Sequence, residues 1–547
     1  MKPSYKWPAV LGALAASCGV YAAAPEPPPE PRITSIFPFA GEVGKPFEAE
    51  VRGRNLKGAR SLWFDGGSVQ ARILRVEDAT APDEILHVSL TVHAAPKSFR
   101  VVTPAGVSNA LNVRVSPVPV FADRTLSRVP AVLFGRIAQP GDVNTYPITV
   151  QGGQTLSFDV QSGFRGLDPI ITIAQRSGSW FDPDRINPIA ANDDPLFFPG
   201  LSTDAHLVHR FTKAGEYLVR ISSFSGQGGP DHGYQLTVAP GESPAPDLHP
   251  RWTDLWDERQ FTRRMSNDWI SQLAARGADT PAARPPESYR AAKESSGTLP
   301  VFTPPGMVEG RIEHPGETHL IQLKIDQAQG LAIEIETPEA TMPRFNPIVR
   351  LTEPGGNEVV TNVYTKLNNN GLYMMKMIQA KTVFSLSAPG IYTLEIRDIT
   401  TDRGGADFRY RVLVRPQIPH AGKVVTAVDH INLSAGETRT LTVTLDREED
   451  FGGVVALLVD NLPPGVTAIP AMDKPEERPP LPNGGKLERY TPKPQTASLL
   501  LVASANAAPS DQPVKIRLSA RPIVKGQWKD AIPVAEIPMM LIARRPL

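Results

Sequence analysis

The chain has 547 residues, and its 57 Lys and Arg balance 57 Asp and Glu. At roughly 150 residues per domain this predicts three or four domains, and the balanced charge removes the electrostatic case for nucleic acid or an anionic membrane, both of which favour a clustered basic surface. The 56 prolines and 43 glycines, set among short β-branched runs, predict strands punctuated by turns: an all-β chain of tandem β-sandwich modules with one short helical linker.

Residues 1–24 read as a signal peptide. Lys2 and Lys6 form a positive n-region, residues 10–20 an apolar core, and Val20-Tyr21-Ala22 a small-x-small cleavage site. The apolar run is shorter than the ~20 residues a membrane span needs, so no transmembrane anchor is expected in the mature chain. The single cysteine, Cys18, lies in this segment. Ala15-Ala16-Ser17-Cys18 has part of a lipoprotein box but lacks its usual Leu, which leaves lipidation through Cys18 as a variant. Cleavage after Ala22 would leave no disulfide and no thiolate metal ligand. The expected location is exported: secreted, periplasmic or at the cell surface.

A Pro/Glu linker follows at residues 25–31 and reads as extended. Over residues 32–116 apolar and polar residues alternate in short runs, such as Phe47-Glu48-Ala49-Glu50-Val51 and Phe99-Arg100-Val101-Val102. Turn signals at Asp65-Gly66-Gly67 and Pro104-Ala105-Gly106 separate them. With Ile36-Phe37-Pro38, Gly41, Gly44, Gly53-Arg54-Asn55-Leu56, Phe64-Asp65-Gly66 and Thr103-Pro104-Ala105-Gly106-Val107-Ser108-Asn109, this segment resembles an IPT/TIG immunoglobulin-like domain.

Two segments then repeat one another, 125–240 and 301–416. The first reads Gly135-Arg136-Ile137, Pro140-Gly141, Leu156, Gly215-Glu216-Tyr217, Gly228-Gly229 and Tyr234. The second reads Gly310-Arg311-Ile312, Pro315-Gly316, Leu331, Gly390-Ile391-Tyr392, Gly404-Gly405 and Tyr410. Such self-similarity marks a duplicated structural unit, with Tyr217 and Tyr392 predicted to be equivalent. The first copy, with Leu167-Asp168-Pro169, Asn192-Asp193-Asp194 and the closing Gly233-Tyr234-Gln235-Leu236, resembles the bacterial pre-peptidase C-terminal (PPC) domain, which implies a β-sandwich or jelly-roll. The second copy is degenerate: Val360-Thr361-Asn362-Val363 stands where the first has Asn-Asp-Asp, and its central excursion through Tyr373-Met374-Met375 is longer.

Between the copies, residues 241–300 form a linker. Trp256, Gln260, Phe261, Met265, Trp269 and Leu273 recur at helical spacing, and a Pro/Ala/Arg-rich stretch follows. The helix would pack on a sandwich or dock a partner through Trp252, Trp256 and Trp269, a residue type enriched in binding hot spots. Residues 423–547 alternate again at 438–443 and 514–518. With Asn461-Leu462-Pro463-Pro464-Gly465-Val466 they resemble an immunoglobulin-like domain of the kind that follows PPC modules. Residues 474–494 read as a Pro-rich loop and 532–543 as a last strand.

No Gly-x-Ser-x-Gly elbow, His-Glu-x-x-His or P-loop is present, so no catalytic residue is assigned and no enzyme is expected. His206 and His209 fall three apart in a strand pattern and point to opposite faces, a poor zinc pair. Asp168, Asn192, Asp193, Asp194 and Asp204 are candidate calcium ligands, because calcium takes six to eight oxygens from loop carboxylates and carbonyls. The simpler reading makes them Asx-turn formers. No other cofactor is expected. The sequence therefore reads as a non-catalytic binding or scaffold protein, with an envelope or extracellular protein or a polysaccharide as partner. Alternatives are an accessory subunit or degenerate relative of a secreted hydrolase acting on extracellular polymer, and a calcium-stabilised spacer.

Overall fold

The computed structural model describes residues 30–543, except 79–82, 122–125, 164–166, 179–184, 194–203, 242–286, 295, 338–344, 368–373, 380, 400, 402, 407 and 475–494. Within these residues the chain is all β, as its turn-rich composition predicts, and it builds four sandwiches around four separate hydrophobic cores. Among the described residues no helix is long and apolar enough to cross a membrane. The signal segment with Cys18, and the linker with Trp252, Trp256 and Trp269, lie outside them.

Module 1 begins with β1 (Arg32–Phe37), β2 (Ala40–Glu42), β3 (Pro46–Arg54), β4 (Ser61–Phe64) and β5 (Ser68–Asp78). It continues with β6 (Glu84–Ala94), β7 (Phe99–Thr103), β8 (Gly106–Val107) and β9 (Arg114–Ser116). A sheet ordered β1-β3-β6-β5 faces one ordered β4-β7-β8, and β2 runs beside β9. Alternation on β6 shows why: Leu86, Val88, Leu90 and Val92 are buried while His87, Ser89 and Thr91 turn outward. Asn109 ties the module shut by copying a backbone pair, its Oδ1 accepting the Ile33 N–H (2.8 Å) and its Nδ2 donating to the Ile33 carbonyl (2.9 Å).

Module 2 holds β10 (Val120–Phe121), β11 (Ala131–Arg136), β12 (Asn144–Val150), β13 (Thr155–Ser162) and β14 (Pro169–Arg176). Then come β15 (Ile186–Asn192), β16 (Ala205–Arg210), β17 (Gly215–Ser223) and β18 (Gly233–Pro240). Its sheets are ordered β10-β11-β18-β13-β16 and β12-β17-β14-β15.

Module 3 holds β19 (Glu287–Arg290), β20 (Ala292–Lys293), β21 (Val301–Phe302), β22 (Gly306–Arg311), β23 (Thr318–Ile325), β24 (Gln329–Glu336) and β25 (Pro347–Thr352). It ends with β26 (Glu358–Thr361), β27 (Val363–Leu367), β28 (Met374–Ile378), β29 (Lys381–Leu386), β30 (Gly390–Asp398) and β31 (Arg409–Pro416). One sheet runs β19-β22-β31-β24-β29 and the other β20-β23-β30-β25-β26. Strand for strand this is the order of module 2, down to the parallel pairing of the leading strand with the next. Module 3 adds β20 and β21 beside β23, and the β27-β28 hairpin where the sequence has its longer excursion.

Module 4 holds β32 (His420–Val425), β33 (Ile431–Ser434), β34 (Thr438–Glu448), β35 (Val454–Asp460) and β36 (Val466–Ile469). It closes with β37 (Ala471–Asp473), β38 (Gln495–Ala503), β39 (Val514–Val524), β40 (Gln527–Trp528) and β41 (Ile532–Ile542). Its sheets are β32-β34-β38-β36 and β33-β41-β39-β35-β37, with β40 folded back on β39.

Candidate binding framework: the repeats and their seams

The residues shared by the two repeats hold backbone in place. Gly135 lies opposite Tyr234 across β11 and β18, and Gly310 lies opposite Tyr410 across β22 and β31. A Cβ on either glycine would overlap the facing tyrosine ring or hydroxyl, so the Gly-Arg-Ile signature exists to let a buried ring lie flat on the strand. Gly228 and Gly404 are likewise pressed onto the backbone of Gln139 and His314. Tyr217 donates to the Lys213 carbonyl (3.0 Å) and Tyr392 to the Ala388 carbonyl (2.9 Å), which makes these two tyrosines equivalent.

The hydroxyl at the centre of each repeat is served differently. In module 2, Tyr234 meets the Asn144 amide (2.7 Å) and the Tyr146 hydroxyl (2.6 Å). In module 3, His319 Nδ1 takes the Tyr410 hydroxyl (2.7 Å), His319 Nε2 meets Glu317 (2.9 Å), and Lys293 of β20 reaches the same carboxylate (2.8 Å). Burial pushes the Glu317 carboxyl up, but bonds from Lys293, His319 and the His314 and Glu313 N–H groups outweigh it and hold the group at about 2. Burial pushes the Tyr410 phenol well above its ordinary value, so it stays a neutral hydroxyl.

Among the described residues, three seams join the modules. Between modules 1 and 2, Phe134 sits edge-on to Phe39 (5.5 Å) and Phe37 (6.4 Å), and Arg136 bonds Glu50 (3.3 Å). Between modules 1 and 4, Arg100 reaches the carbonyl and carboxylate of Asp429 (2.7 and 3.1 Å). There Asn432 pairs with both backbone groups of Val107 (2.8 and 2.9 Å). Burial works against the Asp429 charge, yet His430 and Arg100 hold its carboxyl well below the usual range.

Between modules 3 and 4, the fully buried Arg415 makes two 2.7 Å bonds to Glu449 and also holds Glu334. Lys381 bonds both Glu448 and Glu449. Burial opposes the charge on Glu449, but Arg415 and Lys381 keep its carboxyl at about 2.

This last seam contains the one group of three His, Cys, Asp or Glu residues, among the described residues, whose ligand atoms lie within 4.8 Å of one another: His420, Glu448 and Glu449. The donor chemistry does not suit a metal. Glu449 already accepts from both Arg415 nitrogens, from Lys381 and from the Ile418 N–H (2.6 Å), and two fixed cations supply the positive charge an ion would bring.

The calcium candidates are placed as follows. Asp204 accepts from the Ser162 N–H (2.8 Å) and hydroxyl (3.0 Å). Asn192 donates to the His206 carbonyl (2.6 Å) and accepts the Asp193 N–H (3.1 Å). The Asp168 carbonyl accepts from Phe224 (2.7 Å), and Asp194 lies outside the described residues. In the degenerate repeat Asn362 keeps the strand-pinning role, bonding the Val349 N–H (2.8 Å) and the Pro347 carbonyl (2.9 Å), whereas the acidic pair is gone. His206 and His209 stand on opposite faces of β16. The first pairs with Asp159, while the second packs edge-on to Phe211 (4.7 Å).

Arg100, Asn432, Arg415 and the His319–Glu317 pair were not singled out by the sequence. Each makes its contact with a residue far away in the chain or within an ordinary alternating strand, so no local pattern marks it.

No known protein family matches this chain, and no curated protein does either. Among solved structures, the pre-peptidase C-terminal domain of a collagenase from Bacillus anthracis is 15% identical, with a TM-score of 0.15, over 24% of this chain and 99% of that one. A tandem CBM22 domain from Paenibacillus barcinonensis is 9% identical, with a TM-score of 0.13, over 69% and 99%. The S-layer protein SbsC is 10% identical, with a TM-score of 0.14, over 94% and 55%. Likeness at these TM-scores decides nothing about activity, and the fold stands on the strand order above.

Proposed function

We propose that the chain is a non-catalytic binding or scaffold protein of the bacterial envelope or surface, exported by its first 24 residues. The observation that carries this reading is what duplication kept. Gly135 and Gly310, Tyr234 and Tyr410, Tyr217 and Tyr392, and Gly228 and Gly404 all serve packing or turns. The set that both copies retain is architectural. Binding then falls to loops and edge strands, where a rigid sandwich leaves room for variation, with an extracellular protein or polysaccharide as ligand.

The test incubates the purified chain with casein and with a panel of envelope and extracellular polysaccharides, then assays both release of fragments and retention on the insoluble polymer or on envelope fractions. Retention without hydrolysis is expected. Hydrolysis that survives further purification would replace this reading with the hydrolase alternative. Calcium in the first repeat, through Asp193 or Asp194, stays a secondary proposal, tested by melting in EDTA and in millimolar calcium, since a native-state ligand at ~100 times its Kd adds about 2.7 kcal/mol.

A further inference from the structure

Modules 1 and 4 stand at opposite ends of the sequence, yet they share a seam built like an interior. Asn432, 6% exposed, offers Val107 the same donor and acceptor that a neighbouring strand would offer. The bonds span 325 residues of chain. Gly106 makes room for it, because a Cβ there would overlap the Asn432 side chain. Arg100 is 5% exposed and bonds the Asp429 carbonyl and carboxylate. Val102, Val107 and Met540 form a separate apolar cluster across the seam, each at most 1% exposed, with Trp63 packed against it. Charges on the rim are complementary, with Lys515 on Asp65 (2.5 Å) and Arg439 on Glu30 (3.1 Å). Parting these surfaces would leave the backbone groups of Val107 and the guanidinium of Arg100 to be rehydrated and the cluster exposed, so the seam has its own driving force.

We propose that this seam is a self-sufficient association surface whose partner is the other half of the same chain: it holds residues 30–241 to residues 287–543 without help from the peptide that connects them. Modules 1 and 2 already adhere through Phe134, Arg136 and Glu50, and modules 3 and 4 through Arg415 and Glu449. Among the described residues, the module 1–module 4 seam is therefore the contact that decides whether a chain nicked between modules 2 and 3 stays one particle.

The experiment inserts a specific protease site between residues 242 and 286 of the full chain, cuts the folded protein to completion, and measures mass by size-exclusion chromatography with light scattering at micromolar concentration. One species with the mass of the whole chain is expected; two separating halves overturn the proposal. Asn432→Asp, which keeps the shape but sets a carboxylate oxygen against the Val107 carbonyl, is expected to weaken the association of the cut halves by about tenfold or more. Unchanged association overturns the assignment to this seam. Far-UV circular dichroism of the cut material checks that both halves keep their strands. Should Asn432→Asp fail that check, Arg100→Lys gives the same reading, since it keeps the charge but loses the two-pronged contact.

Discussion

Modules 2 and 3 share strand order, register and a buried tyrosine, yet they satisfy that tyrosine by different chemistry. Module 2 surrounds the Tyr234 hydroxyl with neutral partners, Asn144 and Tyr146. Module 3 uses a chain of titratable groups, Tyr410–His319–Glu317–Lys293, and its last member comes from β20, the added edge strand. Their outer faces differ in the same sense: Ala239 lies opposite Ser157 in module 2, whereas Arg415 lies opposite Ala332 in module 3 and carries the ion network of its seam. After duplication the backbone solution was retained, and the groups around the buried tyrosine changed while its hydroxyl kept a partner in both copies.

The sharpest way to break this comparison is Arg415→Met. It leaves Glu334 and Glu449 buried without their shared cation and is expected to destabilise module 3 or its seam by about 3–5 kcal/mol, read by denaturant unfolding, while Ala239→Met on the other repeat costs far less. Equal costs would mean the two outer faces are used alike. Next, Gly135→Ala and Gly310→Ala are each expected to cost about 1–3 kcal/mol by overpacking, localised to β11–β18 or β22–β31 by hydrogen exchange. A glycine that tolerates alanine would remove its repeat from the shared Gly–Tyr design.

Smaller effects separate the two polar solutions. Tyr410→Phe strands His319 Nδ1 and is expected to cost about 1–2 kcal/mol. Tyr234→Phe should cost less, because Asn144 keeps its bond to the Arg136 carbonyl (2.9 Å). The reverse order in thermal melts would argue against this assignment. Finally, Glu317 binds its proton at about 2 in the folded state against an ordinary value of 4.5. The unfolded chain therefore takes up that proton first, and the contribution of Glu317 is full above pH ~4.5 and lost as pH falls toward 2. Glu317→Gln should lower stability at neutral pH and flatten this acid limb in module 3. A limb of unchanged slope would place the acid sensitivity elsewhere.

Much of the fold was legible because period-two alternation is local: Leu86, Val88, Leu90 and Val92 announce their face within one strand. The repeat was legible because its signature glycines are required by rings that recur with them. The seams were not. Asn432 sits inside the apolar run Ile431-Asn432-Leu433 and reads as a routine strand residue until Val107 is placed beside it. The turn Thr103–Asn109, read as a family signature, divides its residues between closing module 1 and docking module 4. The tryptophans of the helix expected to pack on a sandwich or dock a partner lie outside the described residues, and the acidic loop set is described only in part.

The seam between the first and last modules also fixes an order of events during synthesis. Module 1 has all its strands once residue 116 is made, but the partner of Val107 follows 325 residues later. At about 5–20 residues per second, Val102, Val107 and Trp63 wait on the order of tens of seconds with their apolar faces uncovered. That apolar surface is covered only when β33 and β41 have been made, and with them Asn432 and Met540.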